Sequence, residues 1–587
     1  MCPMVAPSLP WVSINFGGSP FRKELCTKLT SGSAVQFQRL VECSSSQLGP
    51  IFDSLNQLGA ISFKINKPVL DIIIQLFNSG QYPELELPVH PNFSKSKKEV
   101  PVPESFFGDD KAYSLLKTVN DFSEWCFMLQ RLSLANHLRD EIFWYPYNMD
   151  FRSRVYSLST FLTHYDSDEI RSLFLFGCGK KLGKDGFNWL KVHIVNLSDT
   201  MSSRPFAERL EHFETLKDDV LDSADNPLDG RRWWMKSDDP WQMLGACFEY
   251  SAAIRSEDPT EFISHLPISQ DGSCNGLQHY AALSRDKKSA EMVNLTPSVY
   301  KQDVYNEVAK AVEEKRKRDV HSADKKERNI AIKLKGLISR GLVKRSVMTT
   351  VYGVTTYGAT NQVNSKLKDL KVPFEFRKEA SPYVVKGIFE SLGNLFIATR
   401  QIQSWLKESA SYISKLSGRQ IEWITPIGFP VSQPYSSGSD LDPLFYENVQ
   451  VDTKYMNKPD VVKQKNSYPA NFIHSLDACH MMLTSLYCQQ AGLHFYSIHD
   501  CFLTHACDIT EMNKICREQF VALHSCPIMD DLGKFYLKEY GFQDKQVEDD
   551  ILLKKGKLFD ANKHFQTKIE KGSFDINDVK KSEFFFS

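Results

Sequence analysis

Apolar residues recur at helical spacing from residue 33 to residue 80, which predicts helix there. Residues 113 to 138 are also predicted to be helical, and residues 300 to 335 are predicted to form a long helical stretch rich in Lys, Arg and Glu. Residues 81 to 105 hold five prolines and a cluster of lysines, which predicts a loop. Residues 151 to 158 alternate apolar and polar side chains, which is typical of a strand. The pattern predicts a helix-rich α+β fold.

One short segment joins a strand pattern to a helix pattern through small residues. The apolar run Phe262–Ile268 leads towards Asp271, and Gly272–Gly276 contains only small or polar side chains before a second apolar run begins. We predict a buried strand that ends at Asp271, then a turn, then a helix. An aspartate at a strand end is commonly a cap or turn residue, and the segment alone leaves that alternative open.

A second segment places cations on one face of a helix. Arg340, Lys344, Met348 and Tyr352 recur every four residues, and Gly353 is expected to end the helix. Two cations and an aromatic ring on one stripe suit a nucleoside triphosphate. The alternative is an ordinary amphipathic helix whose basic side chains extend to solvent.

A third segment places a carboxylate between two apolar strands. His499 and Asp500 form the tip of a predicted hairpin. Mg²⁺ is typically bound by one or two protein carboxylates, waters and substrate phosphates. Asp271 and Asp500 together are therefore candidates to hold two metal ions for a displacement at phosphorus.

A predicted helix that starts just after Pro469 carries polar residues on one face. Asn471, His474 and Asp477 are three residues apart and share that face.

The predicted strand at residues 151 to 158 carries Arg152 and Arg154. Arginine binds phosphate through two parallel hydrogen bonds, so they are candidate phosphate contacts; a solvated sheet edge is the alternative.

Composition narrows the class of protein. The 587 residues are 42% apolar and 24% charged with a net charge of -1, which excludes a histone-like binder but permits a local basic cleft. The 13 cysteines show no C-x-x-C pair, which favours reduced thiols inside a cell. A zinc site built from His474, Cys479 and His480 lacks a fourth ligand at a familiar spacing. No apolar run is long enough for membrane insertion.

Together these segments resemble motifs A, B and C of the single-subunit, bacteriophage-type DNA-directed RNA polymerases. The matches are Asp271–Cys274, the Arg340, Lys344 and Tyr352 helix, and His499–Asp500. Further matches in the same order, up to the terminal Phe584–Ser587, extend the resemblance over the whole chain. The chain is most similar to the C-terminal catalytic portion of the mitochondrial branch.

The resemblance implies a right-hand fold of thumb, palm and fingers with a small antiparallel palm sheet. The expected divisions are a remnant of the N-terminal domain (1–60), a thumb-like helical region (61–140), a palm with motif A (141–285), fingers with motif B (286–420), and a palm continuation with specificity loop, motif C and C-terminal extension (421–587).

The resemblance also implies roles for the catalytic residues. Asp271 and Asp500 would hold two Mg²⁺ ions, with the Gly272 carbonyl as an extra ligand. Lys344 would donate a proton to the pyrophosphate leaving group.

Five residues are implied to bind substrate. Arg340 would bind the triphosphate, Tyr352 would lie at the sugar, and His474 would lie near the 2′-hydroxyl. Arg154 and Tyr156 would lie near the RNA–DNA hybrid.

RNA synthesis is expected rather than DNA synthesis. A-family DNA polymerases share the spacing of the Arg340 helix, but they carry a bulky acidic residue after the motif A aspartate, which blocks a 2′-hydroxyl. In this chain the small or polar residues Gly272–Gly276 leave that space open. Tyr352 and His474 offer hydrogen bonds that a 2′-hydroxyl satisfies. The alternatives are an A-family DNA polymerase and a truncated, catalytically weak nucleic-acid-binding paralogue.

The remaining expectations concern partners and location. The resemblance implies a DNA template, an RNA product, ribonucleoside triphosphates, mitochondrial transcription initiation factors and the mitochondrial matrix. Several hundred residues that precede Pro10–Trp11 in the family are absent from this sequence, and no targeting segment is visible. The chain alone is therefore expected to extend a primed RNA but to initiate poorly at promoters.

Overall fold

The computed structural model describes residues 1–29, 33–90, 110–198, 201–351, 353–436, 458–541 and 551–587. Its helices are α1 (Ala34–Glu42), α2 (Ser45–Ala60), α3 (Lys67–Ser79), α4 (Asp110–His137), α5 (Asp168–Arg171), α6 (Gly183–Leu197), α7 (Phe206–Asp225), α8 (Pro240–Ile254), α9 (Asn275–Ser284), α10 (Lys287–Met292), α11 (Val304–Asp319), α12 (Lys325–Lys333), α13 (Arg340–Val351), α14 (Thr356–Asp369), α15 (Phe374–Leu395), α16 (Ile397–Leu416), α17 (Val461–Gln490), α18 (Ile509–Ser525), α19 (Ile528–Tyr540) and α20 (Ile551–Gln566).

The strands are short and pair antiparallel throughout the described residues. They are β1 (Leu9–Ser13), β2 (Phe16–Gly18), β3 (Ser62–Ile65), β4 (Phe143–Trp144), β5 (Tyr147–Met149), β6 (Val155–Ser157), β7 (Phe174–Phe176), β8 (Lys180–Lys181), β9 (Ile263–Ser264), β10 (Pro267–Asp271), β11 (Glu422–Ile424), β12 (Pro430–Ser432), β13 (Tyr496–Ile498) and β14 (Cys501–His505). Two three-stranded sheets have the orders β4-β3-β7 and β10-β14-β13, and the other strands pair two by two.

Helix α17 is the central support of the molecule. It packs against α2, α9, α16 and α18, and nearly every side chain from Tyr468 to Met482 is buried. The helix begins after Asp460, whose carboxylate accepts hydrogen bonds from the backbone N–H groups of Val462 and Lys463, both at 3.0 Å. A long helix buried on almost every side is held by packing against its neighbours rather than by solvent-exposed contacts.

The prediction that a helix starts just after Pro469 is wrong, because Pro469 lies inside α17. A proline within a helix removes one backbone hydrogen bond and costs about 3 kcal/mol. The buried packing around it offsets that cost, and the Tyr280 hydroxyl donates to the Pro469 carbonyl at 3.3 Å.

The three-stranded sheet β10-β14-β13 positions the predicted metal ligands. Asp271, the last residue of β10, lies opposite Cys501, the first residue of β14. Strands β13 and β14 are joined by the two-residue turn His499–Asp500. The register therefore brings Asp271 and Asp500 to the same edge of the sheet.

The other elements largely follow the apolar pattern. The predicted helices are present, although β3 interrupts the first helical region and α11 and α12 divide the third. The predicted strand at 151–158 is wrong over its first half, because only Val155–Ser157 is extended as β6. A turn precedes it, in which the Asp150 carboxylate accepts from the backbone N–H groups of Arg152 and Arg154 at 2.9 and 3.0 Å.

The helix-rich α+β class with small antiparallel sheets is confirmed. The 13 cysteines are unpaired, and no helix among the described residues has the length and apolar character of a membrane span. The specificity loop that the resemblance implies is expected at roughly residues 432–465, of which residues 437–457 lie outside the described residues.

Candidate active site

Asp271 and Asp500 are held side by side at the end of the β10-β14-β13 sheet. Asp500 follows His499, whose φ of 58° lies in the left-handed region. That conformation costs a residue other than glycine roughly 1 to 2 kcal/mol. Such strain at a two-residue turn between rigid strands points to a local role, and here it fixes the position of the Asp500 carboxylate.

The two carboxylates disfavour each other's charge. Burial raises the pKa of Asp500 to about 7, and the charges of Asp477 and Asp271 add to the shift. Surrounding protein also raises the pKa of Asp271 to about 6, although its side chain faces the cleft; Lys301 and Lys344 partly oppose that shift. Two partly desolvated acids whose charges are only partly offset form an attractive site for a cation.

The turn after Asp271 is braced by the end of the chain. Gly272 bridges to Phe586, and the Ser587 backbone N–H donates to the Asp271 carbonyl at 3.2 Å. A Cβ atom at Gly272 would lie 2.9 Å from Gln278 Oε1 and 3.4 Å from the Phe586 ring. A side chain at this position would therefore have to displace the Gln278 amide.

Helix α13 forms the opposite side of a cleft of about 560 Å³. Arg340, Lys344 and Met348 line it together with Asp271 and Asp500. The predicted shared helix face is thus present in the structure. Tyr352 lies outside the described residues, so its predicted place on this helix face stays a prediction.

Arg340 is held by a neighbouring acid. Its Nε atom donates to Asp303 Oδ2 at 2.6 Å, and its guanidinium lies 5.6 Å from the centre of the Tyr305 ring. Asp303 also accepts from the backbone N–H groups at the start of α11. This arrangement orients the Arg340 side chain at the mouth of the cleft.

Arg154 belongs to a buried polar network that adjoins the cleft. Its Nη2 atom donates to Asp477 Oδ2 at 2.6 Å, and Asn275, which lines the cleft, donates to the other oxygen of Asp477. The Arg154 cation lowers the pKa of Asp477 against the effect of burial. Asp477 thereby connects the Arg154 turn to the helix that follows Asp271.

His474 and Tyr156 lie in the same network. Arg152 Nη1 lies 2.9 Å from His474 Nδ1, and burial together with the two nearby arginines lowers the pKa of His474 well below its usual value. The imidazole is therefore neutral, and its Nδ1 atom accepts the hydrogen bond. The Tyr156 ring contacts the His499 ring edge-on at 5.0 Å.

The structure thus divides the predicted site residues into two adjoining groups. The cleft is lined by Asp271, Gly272, Arg340, Lys344 and Asp500.

The polar network behind the cleft contains Arg154, Tyr156 and His474.

Comparison with known proteins identifies the family. A family model described as DNA-dependent RNA polymerase matches residues 180–587. The chain belongs to the DNA-dependent RNA polymerase family. It is 43% identical to the mitochondrial DNA-directed RNA polymerase of Homo sapiens and 36% identical to that of Schizosaccharomyces pombe, with 100% of this chain covered in each case.

This family membership, together with the observed architecture, confirms the right-hand polymerase fold class. The chain spans about half the length of these relatives, 48% of the human protein and 53% of the yeast protein. Their names support a mitochondrial location. A solved POL domain of Pol1 from M. smegmatis, in complex with a DNA primer-template and dNTP, is 12% identical and aligns over 83% of this chain and 69% of that chain; its TM-score of 0.40 is too low to bear on the fold.

Lys301 is a cation of the cleft that the sequence patterns did not predict. It lies in the loop between α10 and α11, half-buried on the cleft wall. Among the charges near Asp271, that of Lys301 lowers the pKa of the carboxyl most strongly. The loop has no apolar period and no motif, so only the three-dimensional structure reveals the position of this residue.

Replacing Asp477 by asparagine is expected to destabilise the protein. Asp477→Asn leaves the Arg154 guanidinium without its buried counter-charge, which typically costs about 3 to 5 kcal/mol. The free energy of unfolding from urea titration measures the effect. Asp531→Asn is the matched control, since Asp531 pairs with Lys534 on the surface, where the loss should be below about 1 kcal/mol. Equal stability of the two variants would contradict the assigned role of Asp477.

Proposed function

We propose that this chain is the catalytic portion of a DNA-directed RNA polymerase, which adds ribonucleoside triphosphates to an RNA 3′ end on a DNA template. The strongest support comes from the cleft, in which Asp271 and Asp500 line one side and the cations of α13, Arg340 and Lys344, line the other. Phosphoryl transfer depends mainly on positioning and on neutralising charge, and these groups are suited to both tasks.

The residues of the cleft are proposed to hold two Mg²⁺ ions. Asp271 and Asp500 lie at the ends of paired strands, and each carboxylate has its pKa raised by burial and by acidic neighbours. Carboxylate oxygens are preferred ligands of Mg²⁺, and the Gly272 carbonyl next to Asp271 is proposed as a further ligand. When bound, the ions supply the charge that activates the RNA 3′-hydroxyl and stabilises the leaving pyrophosphate.

The chain's own residues would bind and orient the triphosphate. Arg340, fixed by Asp303, would hold the phosphates, and Lys344, one turn further along α13, would also contact them. Lys344 Nζ is proposed to donate the proton that the leaving pyrophosphate takes up. The pairing of β10 with β14 would hold Asp271 and Asp500 in place before substrate arrives, so that little reorganisation is needed during the reaction.

The remaining site residues are proposed to read the nucleotide and the hybrid. Neutral His474 and Tyr352 would bond the 2′-hydroxyl, while Arg154 and Tyr156 would lie near the RNA–DNA hybrid. Support comes from the network that links Arg154 to the cleft through Asp477 and Asn275.

The proposal extends to domains and partners. Residues 61–140 would form the thumb-like region, 141–285 the palm, 286–420 the fingers and 421–587 the palm continuation, after an N-terminal remnant at 1–60. DNA template, RNA product and mitochondrial transcription initiation factors are the proposed partners, for transcription of the mitochondrial genome.

Mg²⁺-dependent extension of an RNA primer on a DNA template tests the proposed activity. The wild-type chain should extend the primer, and Asp500→Asn should lower the rate at least about a hundredfold, because metal charge stabilisation contributes several kcal/mol. Asp531→Asn, a surface change of the same type, should leave the rate unchanged. Tight template binding without any extension would favour the nucleic-acid-binding paralogue and refute the polymerase proposal.

Ribonucleotide selection is a separate prediction. The ratio of kcat/KM for rNTP over dNTP should exceed about a hundred, since a site built to bond a hydroxyl rejects its absence strongly. Tyr352→Phe should lower that ratio about tenfold, as expected for one lost hydrogen bond, whereas Tyr357→Phe, which alters an exposed ring, should not. Equal use of both nucleotides would contradict the prediction, and a preference for dNTP would point to the A-family DNA polymerase alternative.

A further inference from the structure

Hydrogen bonds hold the loop that carries Lys301 against the rest of the cleft. At the start of its loop, Asn294 Nδ2 donates to Ser273 Oγ at 2.7 Å and to the Gln302 carbonyl at 2.9 Å. The Lys301 backbone N–H donates to the Ser203 carbonyl at 3.1 Å. The loop is therefore fixed to the turn that follows Asp271.

The same loop also contacts helix α13. Asp303, two residues after Lys301, accepts from Arg340 at 2.6 Å. Lys301 and Arg340 lie near enough for each charge to disfavour the other. A polyanion placed between them would relieve that repulsion.

The Lys301 ammonium forms no close ion pair among the described residues, although the charges of Asp271 and Asp303 act on it from a greater distance. Its Nζ atom donates to Ser587 Oγ at 2.9 Å, which is a neutral acceptor, and it forms no ion pair with a described carboxylate. A half-buried ammonium that is bonded only to a hydroxyl retains most of its capacity to bind an anion.

The charges around the cleft are balanced only when Lys301 is counted. The carboxylates that line it are those of Asp271, Asp303 and Asp500, and the cations are Lys301, Arg340 and Lys344. A bound triphosphate brings about four negative charges, which two divalent ions neutralise. Removal of Lys301 would therefore leave the filled cleft with excess negative charge.

We propose that Lys301 is a third triphosphate-binding cation, and that it contacts the β- and γ-phosphates that leave together as pyrophosphate. This inference rests on the proposed function of the same cleft. Its position beside Arg340, on the loop that orients Arg340, places it with the phosphates of the leaving group rather than with the sugar.

A merely structural role is the competing explanation. Lys301 would then serve to hold Ser587, and through it the chain end that braces Asp271. Ser587→Ala removes the hydroxyl that accepts from Lys301 but leaves the ammonium in place. The two roles therefore predict opposite results for this variant.

Calorimetric titration of the full chain with pyrophosphate, in Mg²⁺ and with an RNA–DNA primer-template, tests the inference. Lys301→Met should weaken pyrophosphate binding about tenfold or more, as expected for the loss of one charge-assisted contact, and should raise the KM for rNTP more than it lowers kcat. Lys301→Arg should retain binding within about threefold. Binding of a ribonucleoside monophosphate should be unchanged in Lys301→Met.

Two controls make the result decisive. Lys310→Met alters an exposed lysine on α11 and should bind pyrophosphate as the wild type does. Ser587→Ala should also bind normally; a loss equal to that of Lys301→Met would overturn the inference in favour of the structural role. If Lys301→Met does not fold, Lys301→Gln replaces it in the same titration.

The inference and the proposed function fail in different ways. A wild-type chain that extends the primer, together with unchanged pyrophosphate binding in Lys301→Met, would overturn the inference alone. A wild-type chain that neither extends the primer nor binds pyrophosphate would overturn both.

Discussion

The antiparallel pairing of β10 with β14 is the constraint on which the site depends. It sets Asp271 opposite Cys501 and so brings Asp500 to the same sheet edge. A shift of one residue in this register would turn one carboxylate to the other face of the sheet. Helix α17 packs against α9, and its His480 ring lies 5.6 Å from the Phe502 ring of β14.

The carboxylates of Asp271 and Asp500 repel each other, and the surrounding residues change the strength of that repulsion. Burial and neighbouring carboxylates raise the pKa of both acids. Lys301 and Lys344 oppose the repulsion at Asp271, while Arg154 neutralises the third acid, Asp477. The repulsion between the carboxylates is therefore only partly offset, although cations line the same cleft. This distribution suits a metal-bound polyphosphate.

The local elements of the site could be predicted from sequence because each has its own spacing of apolar residues or its own turn residues. The strand that ends at Asp271, the stripe of Arg340, Lys344 and Met348, and the hairpin at His499–Asp500 all follow from spacing. Their meeting in one cleft could not, since the strands that pair are more than 200 residues apart. The resemblance to a polymerase family supplied that arrangement, and membership in the family is confirmed.

Other features escaped prediction for identifiable physical reasons. The alternating pattern at 151–158 predicted too long a strand, because the Asp150 side chain bonds the next backbone N–H groups and forms a turn. Pro469 did not mark a helix start, because tertiary packing outweighed its local cost. Lys301 lies in a segment with no apolar periodicity and no motif, and its hydrogen-bond partner Ser587 lies 286 residues away in the chain.

The central claim is that Asp271 and Asp500 together form a divalent metal site. Electron paramagnetic resonance of Mn²⁺, added to the full chain with an RNA–DNA primer-template and a triphosphate that resists cleavage at its α,β bridge, tests this claim most directly. We predict tightly bound Mn²⁺ in the wild-type chain and its loss in the double variant Asp271→Asn, Asp500→Asn. The same amount of bound Mn²⁺ in a folded double variant would contradict it.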